Sequence, residues 1–446
     1  MKIDSLYLDS DCKNRYSSNY IILMMIETII ILFGTNTIIA SILGFIVLAV
    51  SFLRMDEDVR TTTLFYLLPF STIFKLSPES TSFFTIIELE YIFLHLYDKR
   101  FKIRNISIIL VFFAFYNLLL GGRSDVFALL SIVKMMCNCS VLFVILSNRR
   151  QYKPIFLAYI MGYIVSSCLF FLDSSLFRIS SYTSVKTILL GEVYISRFAG
   201  LYGDPNYYVI NIILGLMMLS ILWARKELNT IVAVVLYVAL IVFVALSNSK
   251  SGLFMLVFPL ILLLKLLNVN KRYFMSMLGA VVVIIFLSLL ITGKVTIFNE
   301  VISRFLTSKG SLDALTTNRT FIWRKYGEYL TENPMVVLFG RSLGYTQLDN
   351  MAAHNTLIDM IYQLGIMGSF LLIVLLRNAS VQVRNVKFVR KYYNYFPLLC
   401  ICIMYFFLSE LQYFDPPFHL SLAFIILNMD LEANHEYQNE ITKSIG

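Results

Sequence analysis

Charge is scarce in this sequence. Asp, Glu, Lys and Arg make up 15% of its 446 residues, against roughly 25% in a soluble globular chain. Too little polar surface is left to wrap a water-facing body, and no polar stretch is long enough to hold a soluble domain. Cysteine is also sparse and poorly accompanied. Cys12, Cys137, Cys139, Cys168, Cys400 and Cys402 have no His or acidic cluster beside them at metal-ligand spacing. All but Cys12 lie inside apolar runs, where they read as small buried residues, so neither a zinc site nor a disulfide framework is implied. The first 19 residues are polar and lack an apolar core with a small-residue cleavage site. No cleaved signal peptide is expected, and the first apolar run would serve as the insertion signal.

What the chain does have is hydrophobic length. Apolar residues make up 58% of it, in runs of about 16 to 23, the length that crosses a hydrocarbon core of roughly 30 Å. This predicts an all-α polytopic integral membrane protein with about fourteen candidate spans. They fall at 20–34, 37–53, 61–76, 82–97, 106–120, 125–147, 155–172, 205–223, 229–247, 251–267, 273–292, 355–376, 393–408 and 414–428. The net charge of +9 does not mark a nucleic-acid binder, because it is spread over short loops between spans. Lys99, Arg100, Lys102 and Arg104 share one loop; Arg149, Arg150 and Lys153 share the next on the same side. Arg225 with Lys226, then Lys265, Lys271 and Arg272, then Arg377, Arg384, Lys387, Arg390 and Lys391 continue the series. The positive-inside rule puts these loops and both termini in the cytoplasm.

Two loops on the other side are long, 173–204 and 293–353, within what reads as a single transmembrane domain over 1–446. Both carry basic residues, and an exported Arg- and Lys-bearing segment against a membrane suits either an anionic ligand such as a lipid diphosphate or anionic headgroups. The first loop ends in Arg197-x3-Leu201, then Tyr202-Gly203-Asp204-Pro205-Asn206. Asp204 and Pro205 are a helix cap and a helix opener, which leaves Arg197 unexplained. The second contains Arg319-x3-Trp323, then Glu332-Asn333-Pro334 and the turn Phe339-Gly340-Arg341-Ser342-Leu343-Gly344. From about 318 to 331, Phe321, Ile322, Tyr326, Tyr329 and Leu330 recur at helical spacing, which predicts an amphipathic interfacial helix that Pro334 closes. Arg319 and Trp323, four apart, share a face of it. Last comes His354-Asn355-x9-Gly365-x2-Gly368, whose two glycines would allow close helix packing.

In order, spacing and common outside placement, these motifs over about 190–370 resemble the O-antigen polymerase and O-antigen ligase superfamily; the first 170 residues match it only in hydropathy. The resemblance implies a fold like that of the GT-C-type membrane glycosyltransferases. It implies an enzyme of the bacterial inner membrane that transfers sugar from an undecaprenyl-diphosphate-linked oligosaccharide to an acceptor oligosaccharide, inverting and without a metal. Arg197 and Arg319 would hold the diphosphate and stabilise it as it departs, with Lys250 and Arg341 as weaker candidates. His354 would be the general base or would orient the acceptor. Tyr202, Asn206, Trp323 and Asn355 would contact substrate, although Trp323 reads as an interfacial anchor before it reads as a sugar platform. Membrane lipid and a chain-length regulator are the implied partners; no cofactor and no nucleic acid is implied. Where the family often has Ser-Arg, this chain has Ser249-Lys250, which keeps the charge but loses the bidentate fork.

Other polar features admit plainer readings. Glu27, Glu88, Glu90 and Lys134 lie inside expected spans; they serve a proton relay or, as simply, Glu88 or Glu90 pairs with Lys134. Asp56-Glu57-Asp58 reads as a solvated loop. Asp359 and Gln363 line the acceptor path or pair with each other. A flippase or other transporter would show repeated halves, and none is visible. A polymerase joining repeat units is favoured over a ligase moving finished glycan to lipid A-core. The Ile-, Phe-, Tyr- and Asn-rich composition resembles the AT-biased coding of glycan clusters, in which polymerases usually lie.

Overall fold

The structure, a computed structural model, describes residues 22–32, 37–74, 82–97, 106–121, 126–147, 152–176, 186–190, 193–202, 204–267, 319–343, 347–349 and 351–383. The expected spans at 273–292, 393–408 and 414–428 lie outside the described residues. The chain is mostly helical. The helices are α1 (Ile22–Leu32), α2 (Ile38–Arg54), α3 (Glu57–Leu67), α4 (Phe84–Tyr97), α5 (Ile106–Gly121), α6 (Val126–Ser147) and α7 (Tyr152–Leu172). A hairpin follows, β1 (Lys186–Leu190) with β2 (Val193–Arg197), then α8 (Pro205–Ala224), α9 (Thr230–Leu246), α10 (Lys250–Met255) and α11 (Val257–Leu267). The second long loop supplies α12 (Arg319–Glu332), α13 (Pro334–Phe339) and a short hairpin, β3 (Gln347–Leu348) with β4 (Met351–Ala352), before α14 (Thr356–Val383).

Among the described residues three segments are long and apolar enough to cross a membrane, Lys153–Leu172, Pro205–Ala224 and Thr356–Val374. Shorter apolar helices surround them, including Ile38–Arg54 and Thr230–Leu246. Three expected spans differ from the helices found. The span placed at 61–76 is α3 and a 3-10 turn over Leu68–Phe70, starting earlier because Asp56 precedes it as the N-cap residue. It ends early where Pro69 cannot supply a backbone N–H. The span at 251–267 is split into α10 and α11: Pro259 would crowd the carbonyl four residues back, at Met255, and the helix restarts at Val257. The span at 355–376 is broken at Gly365.

Helix α8 is the centre of one packing group, touching α7, α9, α10 and α11. It is apolar on every side and buried from Tyr208 to Leu222, as a helix enclosed by others must be. Asp204 starts it, its carboxylate accepting from Asn206 N at 2.7 Å, with Pro205 at the first helical position; such a cap contributes about 1 kcal/mol. Helix α14 is the centre of a second group, with α5, α6 and α13. Contacts of α3 with α7 and of α4 with α6 add the first helices.

Several polar side chains inside this apolar body bond to neighbouring helices, which offsets the cost of burying them. Thr63 donates to Glu27 Oε1 at 2.9 Å, and Tyr159 donates to Asn211 O at 3.1 Å. The Asp56-Glu57-Asp58 run is not a solvated loop: Glu57 and Asp58 form the first turn of α3, and Glu57 Oε1 lies 2.7 Å from His95 Nε2 on α4. Glu88 is buried on α4. Glu90 is in contact with the charge of Arg60.

Candidate functional site

Arg197 is the last residue of β2, paired in register with Lys186. The chain leaves the hairpin and is anchored at once, Phe198 N donating to Leu246 O at 3.1 Å. The Phe198 ring packs among Phe170, Tyr208 and Phe243. These contacts drive Arg197 inward, to 8% exposure. Its Nη2 donates to Asn206 Oδ1 at 3.2 Å and its Nε to Ser247 O at 3.4 Å. Asn206 Oδ1 also accepts from Ser249 Oγ at 2.8 Å and Ser251 Oγ at 3.3 Å. One amide oxygen at the first turn of α8 therefore gathers donors from β2 and from α10. These two acceptors, a main-chain carbonyl and an amide oxygen, fix the direction of the guanidinium. Ser249 caps α10 through Gly252 N at 3.2 Å; Lys250 is the first residue of that helix, and its side chain lies outside the described residues.

Tyr202 sits one 3-10 turn further on. It stacks on Tyr163, with ring planes 9° apart, and the two hydroxyls lie 2.5 Å from each other. That pairing locks the end of the first long loop to α7.

The second group is built on α12. This helix runs over Arg319–Glu332, close to the stretch that the spacing of Phe321, Ile322, Tyr326, Tyr329 and Leu330 predicts. Pro334 does more than close it: it opens α13, with Asn333 as the preceding residue. Three contacts from α12 grip the β3–β4 hairpin and the residue after it. Trp323 Nε1 donates to Ala353 O at 2.8 Å, and Tyr326 Oη donates to Met351 O at 2.9 Å while accepting from Leu348 N at 3.1 Å. Tyr362 Oη, from α14, donates to Gln347 O at 3.2 Å. The Tyr326 and Tyr329 rings pack edge-on against Tyr362.

His354 is the residue that leaves this grip. It is half-buried and holds φ at +49°, the left-handed region that side chains other than glycine seldom adopt. Asn355 then starts α14, its Oδ1 accepting from Leu357 N at 3.0 Å and Ile358 N at 3.2 Å. Asn355 is thus a helix cap, and only 7% exposed. Arg319, half-buried, opens α12 one turn before Trp323. Arg341 has its guanidinium 6.0 Å from the Tyr329 ring centroid and its side chain bonded to Tyr362. Its position ties it to the tyrosines that support the hairpin.

Below the site α14 breaks. Gly365 has φ +64° and ψ −176°, and Gly340, which ends α13, has φ +76°. The carbonyls freed by the break are taken by the incoming loop: Arg341 N donates to Tyr362 O and Ser342 N to Gln363 O, each at 2.9 Å. The Tyr116 hydroxyl of α5 lies 2.6 Å from Phe339 O and 3.0 Å from Leu364 O. A Cβ on Gly365 would stand 2.5 Å from Gly340 N and from Leu338 O. The close-packing role expected for the two glycines therefore holds at both, Gly368 facing the Tyr116 ring and Gly365 the backbone of α13, and Gly365 is in addition where the helix turns. An irregular backbone inside an apolar body is tolerated when its polar groups are satisfied in this way.

Of the residues singled out in the sequence, the structure joins Arg197 with Asn206 and Ser249, and joins Trp323 with the carbonyl before His354. Tyr202 and Asn355 are engaged in loop locking and helix capping. Ser251, Tyr326, Tyr362 and Tyr116, which complete the two groups, carried no sequence motif of their own; Tyr326 stood out only as part of the apolar stripe. Asp359 and Gln363 are both buried on α14. Among the described residues no group of three His, Cys, Asp or Glu side chains could hold a metal ion. Fold and site together define a mostly helical protein whose described residues hold three segments long and apolar enough to cross a membrane, with two polar groups that each include an arginine. No family model, curated protein or solved structure matches the chain.

Proposed function

We propose that this protein is a membrane glycosyltransferase of the O-antigen polymerase type. It joins undecaprenyl-diphosphate-linked oligosaccharide repeats into a longer surface glycan on the outer face of the bacterial inner membrane. The observation that carries the reading is His354. A half-exposed imidazole is held in a strained backbone conformation by a helix that also bears Arg319, and such strain persists where surrounding structure enforces it. In the proposed reaction His354 accepts the proton of the acceptor hydroxyl as the oxygen bonds to the anomeric carbon of the donor sugar. The bond from that carbon to the diphosphate breaks on the opposite face, and polyprenyl diphosphate leaves with the electron pair. Arg197 and Arg319 stabilise the departing charge, the task of preorganised donors in a water-poor site.

The test uses a strain lacking the gene, complemented with wild type or His354→Ala, with surface glycan resolved on a gel. A single repeat on the core in the null, a ladder with wild type and no ladder with His354→Ala is the expected result. Bare core with polymer accumulating on the lipid carrier would identify a ligase instead.

A further inference from the structure

We infer that Trp323 is a positioning residue that couples occupation of the donor site to the placement of His354; this rests on the reading of Arg319 and His354 proposed above. Arg319 and Trp323 are four residues apart on α12 and so share a face of one rigid helix. The indole Nε1 of Trp323 donates at 2.8 Å to the carbonyl of Ala353, the peptide unit that leads directly into His354. Three residues on, Tyr326 bridges the two strands of the hairpin through Leu348 N and Met351 O. The hairpin is only two residues per strand, too short to hold its own shape in water. Its geometry, and with it the φ of +49° at His354, is set by what grips it from α12 and α14.

A lipid diphosphate that pulls on Arg319 therefore moves or stills the same helix that holds the His354 peptide. Donor binding orders the acceptor base, so the base is in place only when there is a sugar to receive the attack. The device also accounts for the Arg-x3-Trp spacing: one helical turn is the shortest distance over which a helix carries both groups on one face. Trp323 acts here through a backbone carbonyl, in place of the sugar platform or interfacial anchor that its side chain alone would suggest.

The experiment compares the purified full chain in lipid nanodiscs with Trp323→Phe, which keeps most of the ring but removes the N–H donor, and with Tyr326→Phe. Hydrogen exchange over 347–357 is followed with and without lipid-linked repeat extracted from the null strain, alongside kcat and KM for transfer. In wild type the repeat slows exchange over 347–357. In Trp323→Phe exchange there is faster, the repeat no longer slows it, and kcat falls about 10- to 100-fold, the cost of a misplaced reacting group, while KM for the repeat is unchanged. Tyr326→Phe gives the same pattern more weakly and serves if Trp323→Phe does not accumulate. A raised KM with exchange unaltered would mean that Trp323 touches the substrate, and overturns the inference. Equal protection by the repeat in wild type and variant overturns it as well. If wild type neither binds nor transfers the repeat, the proposed function falls together with the coupling. Exchange in the unliganded proteins then still shows whether Trp323 holds the hairpin.

Discussion

Arg197 is held by a side chain and one carbonyl that converge on its guanidinium, whereas His354 is placed by bonds to the backbone around it. At Arg197 the shared element is Asn206 Oδ1, which takes donors from Arg197, Ser249 and Ser251. At His354 the shared element is a two-residue hairpin whose carbonyls and amides are bonded by Trp323, Tyr326 and Tyr362. The difference fits the two tasks. In the proposed reaction Arg197 faces an anion, and the amide and carbonyl oxygens beside it fix the direction of its guanidinium. In the same proposal His354 meets a hydroxyl, and the bonds to the backbone beside it place its main chain. The first group rests on the unbroken α8 and the second on the broken α14.

The comparison breaks most readily at His354. His354→Ala is expected to cut transfer by about 100- to 10,000-fold with normal membrane levels, assayed on lipid-linked repeat; near-wild-type transfer would remove the base from the second group. Next is Gly365→Val, in which a Cβ is forced into a left-handed position against Leu338 O and Gly340 N. Strain and overpacking together cost about 3 kcal/mol or more. The variant should melt earlier or fail to accumulate on size-exclusion of the solubilised protein; unchanged melting would show that the break does not support the hairpin.

Asn206→Leu sharpens the comparison from the other side. Losing a bond to a charged group costs about 1.5–3 kcal/mol, so transfer should fall roughly 10- to 100-fold. Asn206→Asp should leave the protein as stable as wild type but still slow, because a carboxylate holds Arg197 while cancelling its charge. Full activity in Asn206→Asp would mean that neutrality of the acceptor is irrelevant. The smallest effect is expected for Tyr202→Phe, which loses the hydroxyl pair with Tyr163, about 1 kcal/mol of stability. Transfer measured at saturating repeat should stay within about twofold, and a large drop would return Tyr202 to the substrate contacts.

Much of the helical frame was readable in advance because apolar runs of membrane-crossing length leave few alternatives. The runs at 37–53, 82–97, 106–120, 125–147, 205–223 and 229–247 coincide closely with α2, α4, α5, α6, α8 and α9. The amphipathic stripe likewise predicted α12. What escaped was local and polar. A lone Pro259 inside an apolar run does not announce a helix restart, and Gly365, legible as a packing glycine, gives no local sign that the helix also breaks there. Asp56-Glu57-Asp58 looked like a loop because its partner, His95, is 38 residues away from Glu57.

By itself the sequence determined the chemistry available. An apolar chain short of charge must bury its helices in one another or in lipid, and its Arg, Trp and His motifs name the groups that can face an anion or take a proton. Which of those groups meet is set by long-range packing. Asn206 meets Ser249 and Ser251 across 43 and 45 residues, and Trp323 meets Ala353 across 30. Such contacts depend on how helices pack and where one of them breaks, and no local pattern of residues encodes that.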